Sequence, residues 1–115
     1  MPKVKLVKIG AAWCGPCQAM VKRKTLEKFA ERHPEVTVEK FDVPDTDEDE
    51  AKMTAEEKEA NVLADKFEVS TIPTVLFLDE AGTELTRSDE AVSLADLERL
   101  YEDALEELDA TKEET

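Results

Sequence analysis

From Lys3 to Ile9 apolar residues fill both phases of the alternation, with Val4 and Leu6 on one face and Val7 and Ile9 on the other. That pattern predicts a strand covered on both sides. After Gly10 and two alanines comes Trp13-Cys14-Gly15-Pro16-Cys17, then a helical stretch to about Arg32, stopped by His33-Pro34 because the residue before proline is pushed out of the helical region. Val36 to Val43 reads as a second strand. A strand, helix, strand order at this spacing predicts two parallel strands. An acid-rich helical region follows from Asp45 to Phe67, with Ala60, Leu63, Ala64 and Phe67 on one face. Thr54 with Glu57 resembles a capping box that restarts the helix there. Thr74 to Leu78 is a short apolar strand; Glu80-Ala81-Gly82 turns it into a weaker strand from Thr83 to Arg87, making a hairpin. Ser93 with Asp96 caps a final helix striped by Leu94, Leu97, Tyr101, Ala104 and Leu108, and a polar tail over about 109–115 is expected to fray.

Length and charge limit what this pattern can be. At 115 residues the chain predicts one domain over 1–115, large enough for a core without disulfide or zinc staples. A formal charge of −14 argues against nucleic acid or an anionic membrane as partner, since both repel it. The charge is uneven: nine Lys and Arg stand against four Glu up to Phe41, and six against twenty-five acids from Asp42 onward. Two cysteines are too few for a secreted disulfide scaffold, and the apolar runs are too short to span a bilayer. Lys3, Lys5 and Lys8 interrupt what would be the apolar core of a signal peptide. A cytoplasmic monomer is the expectation.

Cys14 and Cys17 carry the chemistry. At i and i+3 on a helix both sulfurs reach disulfide distance, and Cys14 at the helix N-terminus meets free N–H groups and a dipole that favour its thiolate. Proline is tolerated in a first turn, so Pro16 does not break the helix, and Gly15 leaves room for another chain to approach. Half of a zinc site is the alternative, but His33 is the only further N or S ligand and zinc wants about four, so no metal is expected. Two inert core cysteines are a second alternative. Their place just inside a helix start on a strand-helix-strand unit favours redox chemistry.

Trp13-Cys14-Gly15-Pro16-Cys17 resembles the active-site signature of the thioredoxin family, and Ser70-Thr71-Ile72-Pro73-Thr74 resembles its second mark. The likeness runs from about Lys3 to Leu108. It implies an α/β thioredoxin-like fold, a minimal βαβ-α-ββ-α core with a four-stranded mixed sheet flanked by helices. It implies a cis Pro73 beside the cysteines, with the Ile72 backbone exposed to pair with an extended substrate. It also implies that Cys14 attacks a substrate disulfide, that Cys17 resolves the mixed disulfide, and that Trp13 shields the site. A trans Pro73 opening an edge strand, and Trp13 as a plain core aromatic, are the bland alternatives. No cofactor beyond the dithiol is implied. The implied partners are protein disulfides, with a flavoprotein reductase or a glutathione system as electron donor.

Departures from that family bear on the site. The chain begins at the strand before the active site, so the family's first strand and helix are not expected and the Val36 strand becomes a sheet edge, protected by Glu39 and Lys40. Lys8 stands where the family has a buried aspartate, and Lys40 matches its nearby lysine. Either these two favour thiolates and lower both thiol pKa values, or Lys8 snorkels to the surface without effect. Lys22 replaces the proline that usually kinks the helix. The region over about 45–58 is longer and more acidic than in the family. Asp45, Asp47, Asp49 and Glu56 match calcium-loop positions, but Glu50 replaces the required glycine, so an acid-rich helix N-terminus supported by its dipole is preferred to calcium, and these acids are expected to help select basic partners. The rival readings are a redox-indifferent binding module or subunit that uses the same fold, and a glutathione-coupled glutaredoxin-like protein.

Overall fold

The computed structural model describes residues 4–11, 14–43 and 55–113, with side chains through Asp109. Trp13, Thr54 and the acidic stretch from Asp45 lie outside the described residues.

Four strands, β1 (Lys5–Gly10), β2 (Thr37–Asp42), β3 (Thr74–Leu78) and β4 (Glu84–Ser88), form one sheet in the order β2-β1-β3-β4. β1 runs parallel to β2 and antiparallel to β3, and β3 runs antiparallel to β4, so the sheet is mixed. The four helices are α1 (Gly15–Lys22), α2 (Thr25–Arg32), α3 (Ala55–Lys66) and α4 (Leu94–Glu113).

The double apolar phase of β1 is spent on two cores. Val4 and Leu6 join Met20, Leu26, Phe29, Val75, Phe77, Leu97 and Tyr101 under α1, α2 and α4. Val7 and Ile9 join Phe41, Ala60, Phe67, Leu76 and Leu78 under α3. The central strands β1 and β3 are thus covered on both faces, whereas β2 and β4 form the edges, as expected for β2. Lys5 pairs with Glu39 at 3.3 Å across the β1–β2 ladder.

Sequence expectation and structure part in two places. The single helix expected to Arg32 is two. Lys24 adopts a left-handed φ of 54° between α1 and α2, and its N–H donates to the Val21 carbonyl at 3.0 Å. Packing explains the break. In an unbroken helix Met20 and Phe29 would point about 180° apart, yet both are buried in the same core. The second difference is the end of α4, which extends to Glu113, past the Leu108 that closes the apolar stripe in the sequence.

Helix ends otherwise follow the sequence. Ser93 and Asp96 form a reciprocal cap at the start of α4: the Asp96 N–H donates to Ser93 Oγ at 3.2 Å and the Ser93 N–H to Asp96 Oδ2 at 3.1 Å. In the β3–β4 turn, Gly82 takes φ +88°, a conformation that favours glycine. Far from the cysteines, His33 bridges the α2 and α4 ends, with Nε2 2.7 Å from Glu98 and Nδ1 3.3 Å from Glu35. Tyr101 donates to the same Glu35 carboxylate at 2.8 Å.

A candidate dithiol active site

β1 ends at Gly10 and α1 begins at Gly15, with Cys14 as the residue that caps the helix. Its φ and ψ of −87° and 118° are extended, and its sulfur accepts the Cys17 N–H at 3.3 Å. The sulfur therefore does what a Ser or Asp oxygen does at a helix start: it receives a backbone N–H that has no partner within the helix. Pro16 sits in the first turn, where a missing N–H costs nothing. Gly15 and Pro16 are exposed, and a side chain built on Gly15 would meet open space.

Both cysteines are free thiols and both are buried, at 6% and 2% exposure. Beside Ala11 they form a small cluster against which Val43 and Ile72 pack. The Ile72–Pro73 peptide is cis. Its carbonyl lies 3.9 Å from Cys14 Sγ, so the structure brings Cys14, Cys17, Ile72 and Pro73 to one place. The loop that carries them is tied down by side chains that sequence reasoning did not single out. Thr74, fully buried, donates to the Thr71 carbonyl at 2.7 Å, and Thr71 donates to the Asp89 carbonyl at 3.1 Å.

Gly10 is the other residue that sequence reasoning missed. A Cβ there would lie 3.0 Å from Cys17 Sγ and 3.2 Å from Lys8 Cε, so any larger residue would press the sulfur and the lysine stem away from the strand. A lone glycine at the end of an otherwise buried strand, just ahead of a cysteine pair, was the available signal.

Electrostatics separate the two lysines that were grouped from sequence. Burial pushes the Cys17 thiol up to about 11, and the neighbouring Cys14 side chain adds to the rise; a backbone hydrogen bond with Ala11 and the charge of Lys8 oppose it. The expectation that nearby lysines would lower this thiol below its ordinary value is thus corrected: desolvation outweighs the lysine. Lys8 does not snorkel outward, being only 3% exposed. Lys40 is turned away to the surface, where its ammonium pairs with Glu27 on α2 and holds that carboxyl below the ordinary carboxylate range.

A sheet of order β2-β1-β3-β4, a dithiol capping the helix after β1, and a cis-proline loop leading into β3 define a thioredoxin-like domain. The chain belongs to the thioredoxin family: a family model described as a thioredoxin-like domain matches residues 2–105. The chain is 34% identical to Thioredoxin-2 of Saccharomyces cerevisiae over 85 residues, which cover 74% of this chain and 65% of the yeast protein, just under two thirds of its length. Among solved structures it is similar to thioredoxin from Fasciola hepatica, at 28% identity and a TM-score of 0.62 over 85% of this chain and 77% of that one. A malarial protein matches at 25% identity and a TM-score of 0.66, over 90% and 98% of the two chains.

Among the described residues no cluster of His, Cys, Asp and Glu is arranged to hold a metal ion, and no helix is long and apolar enough to cross a membrane.

Proposed function

We propose that the protein is a thiol–disulfide oxidoreductase that reduces protein disulfides through Cys14 and Cys17. The observation that carries this reading is the position of Cys14 Sγ, which accepts the Cys17 N–H at 3.3 Å and lies 3.9 Å from the Ile72 carbonyl. A sulfur in that position stands at a helix start and lies beside backbone with which an extended substrate can pair.

In the first step the Cys14 thiolate attacks one sulfur of a substrate disulfide. A Cys14–substrate bond forms, the substrate S–S bond breaks, and the departing thiolate takes a proton. In the second step Cys17 loses its proton, attacks Cys14 Sγ, and releases the second substrate sulfur as a thiolate. The substrate gains two electrons and the protein becomes a Cys14–Cys17 disulfide. A reductase or a glutathione system then returns those electrons. Cys14 is the nucleophile because it is the helix cap; Cys17, a turn deeper and 2% exposed, serves as the resolving thiol.

Turbidity from insulin reduction, with dithiothreitol as electron source, tests the reading. The wild type accelerates precipitation, Cys14→Ser falls to the uncatalysed rate, and Cys17→Ser accumulates a mixed disulfide visible by mass spectrometry. A wild type no faster than dithiothreitol alone would overturn it. Supplying either a flavoprotein reductase with NADPH or glutathione in place of dithiothreitol identifies the donor.

A further inference from the structure

Lys8 is the one lysine among the described residues that the fold buries, and it is buried beside the resolving sulfur. Cys17 Sγ and Lys8 Cε both crowd the same point above Gly10, at 3.0 Å and 3.2 Å, so the two atoms are no more than about 6 Å apart. Both also line one open cleft of about 470 Å³, together with Val21, Lys22 and Asp42. The strand fixes this placement: Lys8 and Gly10 share a face of the central strand β1, the face that α1 covers with Cys17, and Lys8 is only 3% exposed there.

We propose that Lys8 is a positioning residue for the second half of the exchange, its ammonium standing behind Cys17 to hold the negative charge this sulfur must carry when it attacks the mixed disulfide. The proposal rests on the oxidoreductase reading above and assigns Lys8 to one step of it. In that step the Cys17 proton goes to solvent, the Cys17–Cys14 bond forms, the Cys14–substrate bond breaks, and the leaving sulfur departs as a thiolate. The lysine enters no bond. Its charge lowers the energy of the anionic sulfur that burial would otherwise keep protonated.

The other charges facing this point are accounted for. From α2 comes Glu27, bonded to Lys40 of β2. Across the cleft stand Lys22 of α1 and Asp42 of β2, both exposed, with opposite signs. On the sulfur side is Cys14, neutralised once it is in the mixed disulfide. Lys8 is therefore the buried charge nearest Cys17 among the described residues.

With Cε no more than about 6 Å from the sulfur and an effective dielectric near 20, a charge at the end of that stem raises the thiolate fraction of Cys17 by between about tenfold and a hundredfold. A less basic thiolate is also a weaker nucleophile, which takes back about half of this on a logarithmic scale. Removing the charge should thus slow the second step about three- to tenfold at neutral pH and leave the first step alone.

Single-turnover stopped flow with dithiodipyridine, a neutral disulfide, and a slight excess of reduced protein separates the steps. The first equivalent of thiopyridone reports attack by Cys14 and the second reports attack by Cys17. Lys8→Met is expected to keep the first phase, slow the second, and move the pH midpoint of the second phase upward. The upward shift of that midpoint is a readout that loss of packing alone would not produce. Lys8→Arg should restore the wild-type second phase. Far-UV circular dichroism checks folding, and Lys8→Gln replaces the methionine variant if the latter is unfolded. An unchanged second phase in a folded, uncharged variant overturns the proposal; so does equal slowing of both phases. A wild type that shows both phases but does not reduce insulin overturns the oxidoreductase reading and leaves the role of Lys8 decided by the variants.

Discussion

Gly10→Ala places one methyl group where the strand, the resolving cysteine and the buried lysine meet. The added Cβ would sit 3.0 Å from Cys17 Sγ and 3.2 Å from Lys8 Cε, closer than ordinary carbon–sulfur and carbon–carbon contacts. The backbone has no freedom to absorb this, because the Val43 N–H donates to the Gly10 carbonyl at 2.8 Å and Gly10 is paired in register with Asp42. Overpacking of this kind costs about 1–3 kcal/mol. Against it stands the smaller entropy loss of alanine on folding, about 0.4–1 kcal/mol in favour of the variant. The balance is a destabilisation of about 1–2 kcal/mol. Urea unfolding of the reduced protein, followed by circular dichroism, measures it as a lowered midpoint at unchanged slope. A midpoint equal to or above that of the wild type would refute the reasoning, since it would mean that Cys17 and Lys8 yield freely and are not held by the site.

Three further outcomes are expected. Because burial lifts the Cys17 thiol to about 11, iodoacetamide should leave Cys17 unlabelled near neutral pH in the reduced protein and modify it increasingly as pH approaches that value; peptide mass mapping reads the site. Burial, and secondarily the Glu35 carboxylate, raises the Tyr101 phenol from 10.0 to about 12, so the folded protein holds a proton that the unfolded chain gives up. Stability should therefore be intact below pH 10 and fall between 10 and 12, a decline absent in Tyr101→Phe when both are unfolded with urea across that range. Lys24→Gly relieves the left-handed φ of 54° at an exposed position and should stabilise the chain by about 0.5–1 kcal/mol in the same assay.

The fold was readable where one residue pattern admits one packing solution. The two apolar phases of Lys3 to Ile9 demanded a strand with cover on both sides, and Val4, Leu6, Val7 and Ile9 divide between two cores as that demands. The Ser93–Asp96 cap and the stripe through Leu97, Tyr101 and Ala104 were equally direct, because capping and helical spacing are local. The break at Lys24 was not legible: nothing in Lys22-Arg23-Lys24 opposes helix, and only the shared burial of Met20 and Phe29 requires the change of direction. At the site, Cys14, Cys17 and Pro73 could be named because their chemistry follows residue type and motif. The fates of the two lysines could not. Lys8 and Lys40 are direct neighbours in the β1–β2 register, yet one is enclosed and the other reaches a carboxylate on a helix distant in sequence. Which way a long side chain goes depends on the layer above the sheet, and that information is tertiary.

The left-handed residue at Lys24 also divides the labour of cohesion. Phe29, with no exposed surface, anchors α2 against Phe77 and Tyr101 at ring separations of 5.8 Å and 5.6 Å. By contrast α1 sinks only Cys17 and Met20 into the interior. The segment that carries the thiols, Cys14 to Lys22, is thus tied to the main core through Met20, whereas α2 is tied to it through Leu26 and Phe29. Amide hydrogen exchange should find the amides of α1 opening at lower free energy than those of Phe29 to Arg32. The redox element could then breathe during exchange of its partner sulfur while the rest of the domain stays shut.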